Sequence, residues 1–222
     1  MPMRCLAVLL LCLAVAGLEP DRAVAHPHEF VETHLTFETD AEGRLASVHV
    51  VWVWDELMSL LTLEDLDLDR DGDGMLSPEE RADLAVRFSD WPDDYAGDLS
   101  LRVAGQAIPL GRPDEMIVTL SEGQFTLDFR RPLTAPIPTE GLTLQLQAYD
   151  PTYYIYYDVP ELPTITADLG CDVTRTEADL GAARSLYERL LGGLTEEQIL
   201  MQDQEPLVGD AFADIFTLSC AD

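Results

Sequence analysis

Apolar and polar residues alternate over Phe30–Thr39 and again over Leu45–Trp54. A period of two marks a strand with one buried face, and the intervening Asp40-Ala41-Glu42-Gly43 reads as a hairpin turn. Counted symmetrically about Ala41-Glu42, the hairpin sets His34 opposite His49 and turns Glu32 to the same face. Val31, Leu35, Val48, Val50 and Trp52 then fill the other face. The period next becomes helical: Asp55–Asp67 carries Leu57, Leu60 and Leu61 on one stripe, and Pro78–Phe88 carries Leu84 and Phe88. Short strands return at Leu99–Val103, Ala107–Leu110, Met116–Leu120, Gln124–Phe129, Leu142–Tyr149 and Tyr153–Val159, with turns at Gly105-Gln106 and Glu122-Gly123. After a Pro-rich joint at Pro160–Pro163, Glu177–Leu191 forms an amphipathic helix stopped by Gly192-Gly193. Many short strands favour a β-sandwich. The expected fold is mainly β and sandwich-like, with an inserted helix-loop-helix and a C-terminal helix, α+β taken together. Its segments are an N-terminal hairpin over 26–54, an insertion over 55–90, the remaining strands over 91–170 and a C-terminal helical segment over 171–222.

Residues 1–25 follow a different rule. Arg4 gives a basic start, Cys5–Leu18 is an apolar run, and Ala23-Val24-Ala25 is a small-residue cleavage site. That order is a secretory signal peptide, and cleavage after Ala25 makes His26 the first mature residue. The run is too short for a comfortable membrane span and no other long apolar stretch follows, so the mature chain is expected to be exported, periplasmic and soluble. The whole chain has 42 acidic and 13 basic residues, all 13 of them Arg, for a formal charge of −29. Nucleic acid is therefore excluded as a partner, because its phosphates would be repelled. At 47% hydrophobic residues there is ample material for a core. Cys5 and Cys12 leave with the signal, and in an oxidising compartment the remaining Cys171 and Cys220 are expected to pair as a disulfide.

The chemistry that changes this picture lies between the two insertion helices. Asp69-Arg70-Asp71-Gly72-Asp73-Gly74-Met75-Leu76-Ser77-Pro78-Glu79-Glu80 has twelve positions. Asp69, Asp71 and Asp73 stand at one, three and five, Gly74 at the sharp turn, Met75 offers its carbonyl at seven, Ser77 sits at nine and Glu80 at twelve. Four carboxylates around one point suit a hard dication. The loop resembles an EF-hand calcium site flanked by its two helices, with Leu76 as the inward anchor. A lone exported module of this kind implies weak Ca2+ affinity, on the order of 10⁻⁴ to 10⁻³ M. Ser77 and Glu80 also make a capping box, with Pro78 at the first helical position.

All four histidines, His26, His28, His34 and His49, lie near the mature N-terminus. The free amine and imidazole of a processed His26, with His28 adding a third nitrogen, would chelate Cu2+, Ni2+ or Zn2+. His34 and His49 form a second candidate pair, about 20 Å along the strand from His28. Five tyrosines crowd Tyr149–Tyr157, with Tyr153 and Tyr157 on one face and Tyr154 and Tyr156 on the other; strand packing accounts for them, and a ligand-binding wall is the alternative.

His26-Pro27-His28-Glu29-Phe30, the loop Asp69–Glu80, Tyr149-Asp150-Pro151-Thr152-Tyr153-Tyr154 and Gly209-Asp210-Ala211-Phe212-Ala213-Asp214 with Cys220 together resemble one uncharacterised exported family. Its members are described as a periplasmic component of an ABC-type transport system, often encoded near nickel/cobalt-type transporters. The resemblance implies a link to divalent or transition-metal transport through a membrane transporter, with no ligand residues carried over. The N-terminal histidine is also weakly similar to periplasmic copper-carrier sandwiches. No nucleophile elbow, P-loop or HExxH signature is present. The expected function is therefore non-enzymatic: a calcium-binding accessory or substrate-binding component of metal transport. The alternatives are a calcium-stabilised protein-docking module and, less favoured, a copper-dependent oxidase.

Overall fold

The computed structural model describes residues 27–93, 95–167, 170–194 and 206–221. The expected signal segment 1–25 and the candidate ligand His26 lie outside them. The chain runs through β1 (Glu29–Thr39), β2 (Leu45–Trp54), α1 (Glu56–Asp65), α2 (Pro78–Ser89), β3 (Leu99–Val103), β4 (Gln106–Ile108), β5 (Asp114–Ser121) and β6 (Gln124–Ile137). It continues through β7 (Thr143–Ala148), β8 (Ile155–Asp158), β9 (Thr164–Ile165), β10 (Cys171–Thr176), α3 (Leu180–Leu191), α4 (Gly209–Phe212) and β11 (Ile215–Cys220). This is a mixed α+β fold with two β-sheets. One has the order β5-β6-β2-β1-β8, with β9 also on β1; the other has the order β10-β11-β7-β3-β4. Among the described residues no helix is long and apolar enough to cross a membrane.

The inward faces of β1 and β2 are those the alternation predicts: Val31, Leu35, Phe37, Val48, Val50 and Trp52 are buried. Leu101, Leu144, Leu146, Phe216 and Leu218 of the second sheet fall in the same hydrophobic cluster, as do Leu76 and Leu84 of the insertion. Asp55 caps α1 by accepting from Met58 N at 2.8 Å. Its other carboxylate oxygen takes Phe30 N at 2.9 Å, which ties the insertion to the start of β1. A smaller cluster of Ala183, Tyr187, Val208 and Phe212 seats α3 and α4, with Tyr153 stacked on Phe212 at 3.7 Å.

Three expectations require correction. The hairpin register is offset by two residues, so His34 pairs with Val51 and His49 with Thr36. The turn is not symmetric: Asp40 receives Gly43 N on its carbonyl and Arg44 N on its carboxylate, and a bulge follows between Glu38 and Thr39. The segment 171–222 is not only helical, because β10 and β11 frame its helices and join the second sheet. β-Branched Val173, Thr174 and Thr176, then Ile215 and Thr217, favour those strands. β6 also runs past Phe129 to Ile137 through Pro132. The missing Pro132 N–H is tolerated because it falls beside an irregularity in the β2 pairing.

Candidate metal centre

Two helix ends set up the acidic loop. α2 begins at Ser77, whose hydroxyl accepts from Glu80 N at 3.2 Å while Glu80 Oε2 accepts from Ser77 N at 2.8 Å, with Pro78 at the first position. Leu76, 4% exposed, plugs into the core and fixes the height of the loop above it. Gly72 and Gly74 turn back at φ 69° and 76°, a region that glycine enters without steric cost. Inside that bend Asp69 Oδ1 accepts from Asp73 N at 3.0 Å, Asp69 Oδ2 from Gly74 N at 3.1 Å and Asp73 Oδ1 from Met75 N at 2.9 Å.

The result is a convergence of Asp69, Asp71 and Asp73, each offering one carboxylate oxygen within 4.8 Å of the others. Asp69 is half-buried and the other two are exposed. Three anions held this close repel one another, and a cation between them removes that cost. Glu80 stands outside this group. Its Oε1 accepts from Asp69 N at 3.1 Å and its Oε2 serves the cap, and these bonds, led by those from Ser77, hold its carboxyl below the usual range. Sequence spacing thus placed the three aspartates together correctly, whereas Glu80 and Ser77 are engaged with each other. The capping box and the acidic convergence coexist.

The histidines are distributed differently. His28 donates its backbone N–H to Tyr154 O at 2.9 Å and sets its ring 4.8 Å from that of Tyr154. His34 Nε2 meets Glu32 Oε1 at 3.0 Å, and His49 Nε2 meets Asp128 Oδ1 at 2.7 Å. His34 and His49 share the outer face of the sheet as diagonal neighbours, two residues out of direct opposition. Among the described residues His34 and His49 therefore each pair with a carboxylate, His28 lies against Tyr154, and the one group of three or more metal-ligating side chains is the aspartate group.

Sequence reasoning missed a buried polar cluster between the sheets. Asp98, 6% exposed, accepts at Oδ2 from Tyr157 OH at 2.7 Å and Tyr95 OH at 2.8 Å. Nearby Arg131, 2% exposed, donates to the carbonyls of Gly111, Gly97 and Ala96 at 2.6, 3.3 and 3.0 Å and lies 4.7 Å from the Trp91 ring centre. Gly97 is obligatory there: a Cβ would stand 2.1 Å from Arg131 Nη1. Burial pushes the Asp98 carboxyl up to about 6 against the opposing pull of the two phenols, and lowers Arg131 to about 10.

Asp98 has a measurable consequence. Unfolded, it loses its proton near 3.8; folded, near 6. Between those values the folded state holds more protons, so this group's contribution to stability falls as pH rises through that window and is fully lost above it. Asp98→Asn cannot titrate, and the stability difference between wild type and variant should shift by on the order of 2–3 kcal/mol in the variant's favour from about pH 4 to about pH 7. Urea unfolding of both proteins at the two pH values checks this. Parallel pH profiles would refute it.

The fold and site define a two-sheet α+β protein that displays, between two helices, an acidic loop whose three aspartates could hold a metal ion. The chain belongs to the family described as Protein of unknown function (DUF1007), whose profile matches residues 8–220. A search of curated proteins finds none that matches.

Proposed function

We propose that this is an exported, non-enzymatic calcium-binding protein that serves a divalent or transition-metal transport system as an accessory or substrate-binding component. In this reading a sandwich-like scaffold carries one EF-hand insertion, and calcium orders it. The observation that carries the reading is the convergence of Asp69, Asp71 and Asp73 within 4.8 Å in a loop of EF-hand spacing. Calcium takes six to eight oxygens, and the Met75 carbonyl, Ser77 and a bidentate Glu80 complete that number once Glu80 gives up its bond to Asp69 N. Delivery of a transition ion falls to the N-terminus, where a processed His26 amine and imidazole with His28 form a nitrogen chelate for Cu2+, Ni2+ or Zn2+. A membrane metal transporter is the partner implied.

The chelate is tested by titrating Cu2+ or Ni2+ into two proteins, one starting at His26 and one extended by a single residue. The extension displaces the free amine and leaves every side chain in place, so the processed form should bind more tightly. Acidification should release the bound metal, because metal binding requires the nitrogen ligands to be unprotonated. Matching affinities would overturn the terminal chelate and shift the site to His34 and His49. A second reading, a calcium-stabilised docking module, has its own support: Leu57, Leu60, Leu61, Met75 and Val86 of the insertion are all exposed. Absence of transition-metal binding by both proteins would favour it.

A further inference from the structure

Helix α1 is apolar on two sides. Its inward side is settled: Met58 and Leu63, with Leu66 at the C-cap, pack against the core, buried Ser59 accepts at Oγ from Phe125 N at 3.0 Å, and Asp55 ties the first turn to β1. Leu57, Leu60 and Leu61 stand on the opposite side at i, i+3 and i+4, and they are 62%, 50% and 50% exposed. Phe30, also 50% exposed, adjoins the N-terminal end of the helix through the two bonds its backbone shares with Asp55. One apolar stripe holds a surface helix to its core; a second marks a face that something else covers.

The charges around the stripe decide what covers it. Asp55–Asp67 holds Asp55, Glu56, Glu64, Asp65 and Asp67 and no basic residue. Asp55 is spent on the helix cap and Asp67 on Arg70. Glu64 continues the leucine ridge at i+7, while Glu56 and Asp65 flank it. These three carboxylates are exposed and make no ion pair among the described residues. A second copy of the chain would bring its own charge of −29 and the same carboxylates to the contact, and an anionic lipid surface would be repelled likewise. A helix whose apolar stripe is bordered by Lys or Arg meets both the leucines and the carboxylates, and ridge packing suits it to the about 15 Å length of α1. We propose that the outer face of α1 is a docking site for a cationic amphipathic helix of a partner protein, its apolar stripe on Leu57, Leu60 and Leu61 and its basic residues on Glu56, Glu64 and Asp65. The inference rests on the docking reading and gives that partner a definite chemistry; neither calcium nor the N-terminal chelate enters it.

Anisotropy titration of the full chain with labelled peptides of about five helical turns tests it. The probes are an amphipathic Leu/Lys helix, the same residues shuffled to remove the stripe, and an amphipathic Leu/Gln helix. The Leu/Lys helix should bind once per chain, at least about tenfold more tightly than either control. Leu57→Gln with Leu61→Gln should weaken it at least about tenfold, and so should Glu56→Gln, Glu64→Gln and Asp65→Asn together. All five positions are exposed, so these changes leave the core untouched. Equal binding of the shuffled peptide, or an affinity that the leucine substitutions do not change, would reduce the contact to nonspecific charge and overturn the proposal. Equal binding of the Leu/Gln helix would overturn the cationic partner and keep the docking reading; no binding of either helix would overturn both. Sedimentation of the chain alone and with phosphatidylcholine vesicles covers the other occupants. Dimerisation or vesicle binding that the leucine substitutions abolish would assign the stripe to a second copy or to lipid instead.

Discussion

Replacing both Cys171 and Cys220 by serine should lower the unfolding free energy by roughly 4 kcal/mol, the largest effect expected of any change outside the core. The bridge joins directly paired positions on β10 and β11 and closes a separation of 49 residues, so it removes a large part of the unfolded chain's freedom. The strands differ in what else holds them. β11 sits between β10 and β7 and buries Phe216 and Leu218, whereas β10 is an edge strand with mostly exposed side chains. Loss of the bridge should therefore fray β10 first and leave β11 on β7. Urea unfolding followed by the fluorescence of Trp52, Trp54 and Trp91 reads the stability, and amide exchange over 171–176 reads the fraying. A loss under about 1 kcal/mol would show that the loop-entropy estimate fails here.

Calcium at about 10 mM should stabilise the wild-type protein by about 1.5–3 kcal/mol if the loop binds with a Kd on the order of 10⁻⁴ to 10⁻³ M. For a chain of this size that raises Tm by about 3–10 °C. Glu80→Gln separates the two roles of the residue. Glutamine at the third helical position still bonds back to Ser77 N, so the capping box and the calcium-free stability should be largely kept. It cannot supply a bidentate anion, so most of the calcium shift should vanish. Scanning calorimetry of both proteins with and without calcium checks this, and equal shifts would contradict the assignment.

What could be read from the sequence depended on how local each feature is. The buried faces of β1 and β2 were legible because Val31, Leu35, Val48 and Val50 alternate strictly. Their register was not, because it depends on how Asp40 binds Gly43 and Arg44 and on a bulge that symmetric counting cannot see. Strand β10 escaped notice because, as an edge strand with exposed Asp172 and Arg175, it shows little apolar alternation. The acidic loop was legible because all its positions lie within twelve consecutive residues, although the engagement of Glu80 with Ser77 and Asp69 needed coordinates. The Asp98 cluster carried no sequence signal. Its phenol from Tyr157 arrives from 59 residues away on β8, and Arg131 comes from β6, so only the stacking of the sheets brings them together.

The most direct test of calcium binding at Asp69–Glu80 is a calorimetric titration of the full chain with CaCl2, repeated on Asp71→Asn. Asp71 is exposed and makes no structural hydrogen bond among the described residues, so its loss should leave the fold intact while removing a ligand from the centre of the group. One Ca2+ per wild-type chain is expected, with Kd on the order of 10⁻⁴ to 10⁻³ M, weakened at least about tenfold by the substitution. No saturable binding by wild type, or the same affinity in both proteins, would contradict the account.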